Sequence, residues 1–496
     1  MKKFIKFGAL IMALLMLSGC FVACNGDDNT DDDGKNPDTP NTPAEEHVRF
    51  DGTALEMLYW ENTNIDEYMI SLEAANGGLV EENVYYRNIY AMDTLGVTTN
   101  WTPVTQDKTI ETARNAHLSG GIYDTYCVYS QFGASLALEG LTTDLAASEY
   151  VDFSHPSYPD KLVKEATIQG KMYFMSGDIS TNSLFMSGLV YYNKNLYETK
   201  RIEEAIKAAY GYDTIYAMVE DGKWTNDVLF ALAKGVYEDT NAVIAGYDEG
   251  DTFGFATYDS VMDNFYYGAG WMTIRSTKAK GLTIDPDFKN HDKISGLIQQ
   301  VHNFMKEDDA YSSGSTHVGA RTNFADGRVL FYLAPGSHAY TTFRTVDGLE
   351  YGVLPVPKYD AEEDSYGASM SFPYAMYCVS SLSMNLNAAC AFLQELSEQS
   401  YLHTRPAIFE QTMKLKYSDK AEDAVMWDMI IEAQSYDLGR IFARHMGGSE
   451  SDQITVQTFR SAISNGNSGW NFLYISKKPI LEGALRLLNV SISKLG

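Results

Sequence analysis

The groups able to do covalent chemistry are 66 carboxylates, nine histidines and five cysteines in 496 residues. Phosphate transfer needs a GxxxxGK[ST] loop whose backbone amides cradle the phosphates, and the chain has none. It also lacks the HExxH pair of zinc hydrolases and the GxSxG elbow of serine acyl transfer. The histidines are scattered, and no two stand at metal-ligand spacing. Cys127, Cys378 and Cys390 form no CxxC pair, so neither a metal nor a cofactor is expected. An exported chain can pair two of the three, without the sequence saying which. Cys127 and Cys378 lie in apolar strand-like runs and read as buried free thiols. Cleavage of a glycosidic bond needs two carboxylates facing one another, and nothing selects two from the 66. By elimination the chain binds rather than catalyses.

One thiol stands apart. Lys2, Lys3 and Lys6 precede an apolar run, Phe7 to Leu17, shorter than the ~20 residues of a spanning helix. With Ser18 and Gly19 at its end, residues 1–19 read as a secretory signal peptide. Leu17-Ser18-Gly19-Cys20 resembles a bacterial lipobox, which implies cleavage before Cys20 and lipid, palmitate included, on the new N-terminus. Cys24 is a second candidate, and an ordinary secretory signal is the alternative. Residues 20–52 follow as a lipid-anchored acidic tether. Its Asp, Asn, Thr and Pro cannot bury enough surface to offset the entropy of ordering. Pro40 stands where an EF-hand loop requires its closing Glu, which excludes that calcium site.

The formal charge of −28 excludes nucleic acid and argues against an anionic substrate as the default. The length beyond the tether predicts two domains. Strands are expected at Thr53–Trp60, Val97–Trp101, Tyr123–Ser130, Arg328–Leu333, Tyr351–Pro357 and Tyr374–Ser380, with prolines barring a central strand beyond Leu354, and Gly188–Glu198 reads as a strand running into a polar turn and a short helix. Helices are expected at Glu82–Met92, Ala134–Glu139, from Thr225 through Ala233, and over the 3.6-residue pattern Ile294, Leu297, Ile298, Val301, Phe304 and Met305. Later helical patterns cover Ala421–Gln434 and Ile480–Leu488. Alternating strands and helices predict an α/β fold with crossovers.

In order along the chain stand KMYFMSGDIS, GLVYYNKNLYE, DGKWTNDVLFALAK, FADGRVLFYLAPGS and YGVLPVPKYDAEEDSYG. Together these segments resemble the first family of extracellular solute-binding proteins, the sugar-binding lipoproteins of ABC importers. The resemblance implies a two-lobed periplasmic-binding-protein-like fold (type II), the lobes joined by a multi-strand hinge with a ligand cleft between them. It places residues 53–162 and 323–366 in the first lobe, and 163–322 and 367–496 in the second. It implies capture of a carbohydrate, an oligosaccharide first among them, by a monomer anchored on the extracytoplasmic face of the cell membrane. Delivery would be to the permease subunits of an ABC transporter. The alternatives are a lipid-anchored glycan-acting enzyme and a surface glycan- or peptide-binding protein with no transporter.

A sugar offers flat CH faces and a rim of hydroxyls, so a cleft for it needs aromatic rings beside hydrogen-bonding groups. Trp60, Glu61 and Asn62 follow the first strand, and Tyr129 and Gln131 close another. Asp263, Asn264, Tyr267 and Trp271 share the run DNFYYGAGW. Ser337 lies in a loop, Pro335 to His338, that the resemblance turns toward the ligand. Tyr366 ends a segment expected to cross the hinge, and Trp470 sits in the glycine-rich NGNSGW. Trp101 and Trp427 lie in regular segments and are expected in the core.

Overall fold

The computed structural model describes residues 48–61, 67–68, 75–76, 78–240, 250–371, 374–413, 421–446 and 454–495. Cys20, Cys24, Asn62 and the run 25–46 lie outside the described residues. Among the described residues thirteen strands follow in chain order. They are β1 (Thr53–Trp60), β2 (Val97–Val104), β3 (Thr125–Tyr129), β4 (Gly188–Asn193), β5 (Phe253–Thr257), β6 (Ile274–Thr277) and β7 (Gly281–Ile284). After them come β8 (Ala310–Ser312), β9 (Val329–Pro335), β10 (Tyr351–Leu354), β11 (Ala368–Ser369), β12 (Ala375–Val379) and β13 (Gln434–Ser435).

The fold is α/β with two main sheets. The first has the order β12-β3-β1-β2, with β1 parallel to both neighbours and β12 antiparallel to β3. In β1, Leu55, Met57, Leu58 and Trp60 are buried, as a strand flanked on both sides and covered by helices requires. The second has the order β10-β4-β9-β5-β8. There β5 runs parallel to β8 and β9, while β4 is antiparallel to β9 and β10. β4 turns directly into the helix Lys194–Thr199, whose N-cap Asn193 accepts a hydrogen bond from Leu196 N at 3.0 Å. β10 stops at Leu354, just before the prolines that cannot donate to a ladder.

Strand membership departs from the expected lobe division. β9 and β10 fall in 323–366 yet belong to the second sheet, and β12 falls in 367–496 yet forms the edge of the first. The reason is in the partners. Every residue of β9 is buried, and it has β4 on one side and β5 on the other. An apolar pattern shows that a strand is central but does not name its sheet.

Two segments cross between the sheets side by side. One leaves the first sheet where Met175 bridges Tyr377, and meets the other where Ser187 bridges Met370. Ser371 N donates to Met186 O at 2.8 Å across the pair. Just before them, Ile168 and Lys171 close a two-residue hairpin with φ of 53° at Gln169 and 90° at Gly170. This left-handed pair is the type I′ geometry that glycine makes cheap. Cys127, Cys378 and Cys390 are free and buried, and burial pushes their thiols up. Among the described residues no helix is long and apolar enough to cross a membrane, and no group of three metal-ligating side chains stands together.

Candidate functional site

A cavity of about 400 Å³ opens at the carboxyl ends of β5 and β9. Ligands of open α/β sheets bind at such strand ends, and the volume lies within the ~300–1,000 Å³ of small-molecule pockets. The chain reaches it in three ways. Tyr258 and Ser260 follow β5, and Pro335, Ser337, His338 and Thr341 come from the end of β9 and the short helix Ser337–Thr341. Met186 and Ser371 come from the two crossing segments, and His317 and Arg321 from the helix region beside β8. Arg440 and Arg460 close the cavity from late helices.

The turn after β9 is tightly held. Gly336 N donates to Ser187 O at 3.0 Å, and a Cβ on Gly336 would stand 3.2 Å from the Phe185 carbonyl oxygen. The His338 ring lies nearly parallel to Tyr332 and Tyr258, at centroid distances of 5.8 and 6.0 Å. Its Nδ1 is 3.0 Å from the Tyr332 hydroxyl. Burial, then His317 and Arg321, pulls His338 down to about 3. Burial and Arg321 lower His317 too. Both imidazoles are therefore neutral near pH 7, able to donate and accept but bringing no charge.

Charge comes from the arginines. Arg440 and Arg460 share the buried carboxylate of Asp263. Arg440 Nη1 makes a short contact to Oδ2 and Arg460 Nη2 stands 2.9 Å from the same atom. Ser369 Oγ adds a hydrogen bond to it at 3.1 Å. Arg440 also donates to Met370 O at 2.8 Å, which ties it to a crossing segment. No carboxylate is among the described residues of the cavity wall.

The residues singled out from sequence are distributed unequally. Ser337 lines the cavity, as do Pro335 and His338 of the same loop. Asp263 lies behind the wall, holding two of its arginines. Trp60 and Tyr129 end adjacent strands of the first sheet with ring centroids 5.7 Å apart. Both are buried, as is Gln131, and Glu61 is exposed; none of the four is part of the wall. Within the run DNFYYGAGW, Asn264–Gly268 forms a buried helix. Asn264 Oδ1 accepts from Ser369 N at 2.9 Å, and Tyr267 donates to Asp437 at 2.8 Å. Trp271 packs on Tyr266 and Tyr359.

Tyr366 belongs to a separate depression of about 240 Å³, its hydroxyl bonded to Val219 O at 2.8 Å. Trp470 is core, its indole N–H donating to Phe288 O at 3.1 Å. Trp427 is buried as expected, while Trp101 is half-buried against Tyr59. Sequence reasoning missed Tyr258, His317, Arg321, Arg440 and Arg460. The arginines stand on helices more than a hundred residues apart in part, where a charged side chain reads as a solvated face.

No protein-family model matches the chain. No curated protein matches its sequence either. Solved structures do match in fold. The sugar-binding protein MalE from the phytopathogen Xanthomonas citri has a TM-score of 0.58 at 14% identity, covering 90% of this chain and 100% of its own. The galacto-N-biose-/lacto-N-biose I-binding protein of the ABC transporter from Bifidobacterium longum, solved with lacto-N-biose, has a TM-score of 0.53 at 12% identity over 90% and 99%. UgpB from Mycobacterium tuberculosis, in complex with glycerophosphocholine, has a TM-score of 0.52 at 14% identity over 86% and 98%. The chain thus has the two-lobed periplasmic-binding-protein-like fold, the fold of the sugar-binding proteins of ABC importers.

Proposed function

We propose that the chain is an extracytoplasmic solute-binding lipoprotein that captures a carbohydrate and hands it, chemically unaltered, to the permease subunits of an ABC importer. The observation that carries the reading is a cavity at strand carboxyl ends, walled in part by both segments that cross between the sheets. A ligand there touches the hinge, and can favour the closed arrangement by the difference in its affinity for open and closed forms. Two of the neighbouring structures are sugar binders by name, and hydroxyl and imidazole groups in the wall suit a polyol rim.

Lipid on Cys20 and the acidic tether would keep the folded body close to its permease and raise the effective concentration for docking. A monomer suffices for this. A glycan-acting enzyme would need two carboxylates facing each other across the cavity, and the described wall offers none.

The test is a thermal-shift screen of the mature chain against a sugar panel. A ligand at 100 times its Kd stabilises by ~2.7 kcal/mol. A shift, with the sugar recovered intact by mass spectrometry, is the expected result. No shift with any carbohydrate, or release of hydrolysis products, would overturn the reading.

A further inference from the structure

The cavity has a charge opposite to that of the protein around it. Its wall carries the guanidinium groups of Arg321, Arg440 and Arg460. Arg440 and Arg460 converge on one carboxylate, Asp263. Three cations against one anion leave an excess of two positive charges among the described residues, in a chain whose formal charge is −28.

Arg321 makes the excess specific. It stands on the helix Val318–Ala325, half-buried, with its backbone N donating to His317 O at 3.0 Å. Elsewhere arginines find carboxylates readily in this acid-rich chain, as Arg114 does with Glu139 at 2.7 Å and Arg275 with Asp285. Among the described residues, no hydrogen bond or ion pair occupies the Arg321 guanidinium. Its charge is felt at His317, His338 and Tyr258, all in the same wall. A guanidinium drawn out of bulk water without a partner costs free energy, and an oxyanion presenting two oxygens side by side is what its fork of donors fits. The hydroxyls of Ser337, Thr341 and Ser371 and the neutral imidazoles fill the rest of the rim, where ring hydroxyls of a sugar would lie.

We infer that the ligand is an anionic carbohydrate, one bearing a carboxylate, sulfate or phosphate ester, and that Arg321 receives its oxyanion. This rests on the carbohydrate-capture reading and narrows it. It also reverses the expectation drawn from net charge, because a local cluster of cations decides what enters a cavity while the total charge acts over the whole surface.

Isothermal titration calorimetry on the mature chain tests it with matched pairs of mono- and disaccharides. Uronates are set against their methyl esters, and sulfated and phosphorylated sugars against the unsubstituted sugars, with inorganic sulfate and phosphate as ions alone. The charged member of at least one pair should bind roughly tenfold tighter or more, the scale of a charge-assisted hydrogen bond over a neutral one. Which pair responds separates carboxylate from sulfate and phosphate. Arg321→Gln should close that gap without changing the melting temperature of the free protein, and Arg321→Lys should restore part of it.

Neutral sugars binding as tightly as their charged partners, or a gap unchanged in Arg321→Gln, would overturn the anionic ligand and leave sugar capture standing. Binding of inorganic sulfate or phosphate with no sugar of either kind would overturn the carbohydrate reading itself. No binding by any probe would overturn both.

Discussion

Asp263 and Asp437 are both buried carboxylates, and they are satisfied in opposite ways. Asp437 uses both oxygens. It accepts from Tyr267 OH at 2.8 Å, Thr273 N at 3.0 Å, Thr273 Oγ1 at 2.5 Å, Ile274 N at 3.1 Å and Gly439 N at 2.9 Å. All those donors are neutral, and the cluster pins the start of the helix Leu438–Ile441 to the β6–β7 hairpin. Asp263 takes two guanidiniums and one hydroxyl on Oδ2 alone, and its buried Oδ1 has no hydrogen bond among the described residues. The first cluster is closed and shapes the fold. The second holds charged donors in place at a cavity, with hydrogen-bonding capacity left over. Polar residues alone do not mark a site; incomplete satisfaction beside an opening does.

Breaking the second cluster should cost most. Asp263→Asn removes the shared counter-charge of Arg440 and Arg460, and uncompensated buried charge costs ~3–5 kcal/mol. Chemical denaturation should show that loss. Asp437→Asn keeps the shape but turns an acceptor oxygen into a donor facing other donors, for ~1–3 kcal/mol. If Asp437→Asn proves the more damaging, the contrast between an ionic and a neutral cluster fails.

A third substitution separates burial from pairing. Glu165, half-buried, accepts from Tyr436 N at 2.7 Å, and burial raises its carboxyl from 4.5 to about 7. The folded state therefore keeps a proton that the unfolded state releases as pH rises from 4.5 to 7. Stability falls across that window by up to ~1.4 kcal/mol per pH unit. Glu165→Gln should flatten this part of the pH profile of the melting temperature, and an unchanged profile would contradict the assignment. The smallest stability effect is expected at Gly336→Ala. The added Cβ stands 3.2 Å from the Phe185 carbonyl and must push the turn outward by tenths of an ångström. Calorimetry should find ligand affinity reduced while the melting temperature moves by a few degrees at most.

Much of the scaffold is legible in the sequence, because periodicity reports burial directly. TALEMLYW reads as a strand and forms β1 over the same residues. The pattern from Ile294 lies in the helix His291–Phe304. Strand partners are less legible. RVLFYL shows a central strand and not which sheet it joins. The site is least legible of all. A tryptophan after a strand has the same local pattern whether it faces a ligand or, like Trp470, donates its N–H to a neighbouring carbonyl. Arg321, Arg440 and Arg460 meet only in the folded chain, and no spacing along it brings them together. The loop Pro335 to His338 is the exception, and it is the family resemblance, not the local pattern, that turns it toward a ligand.

The most direct measurement is a crystal structure of the mature chain soaked with the tightest-binding sugar from calorimetry. Density should fill the cavity at the ends of β5 and β9, with ligand atoms within hydrogen-bonding distance of Arg321 and Ser337. Density confined to the strand ends at Trp60 and Tyr129, with the arginine-walled cavity holding only solvent, would contradict the central claim.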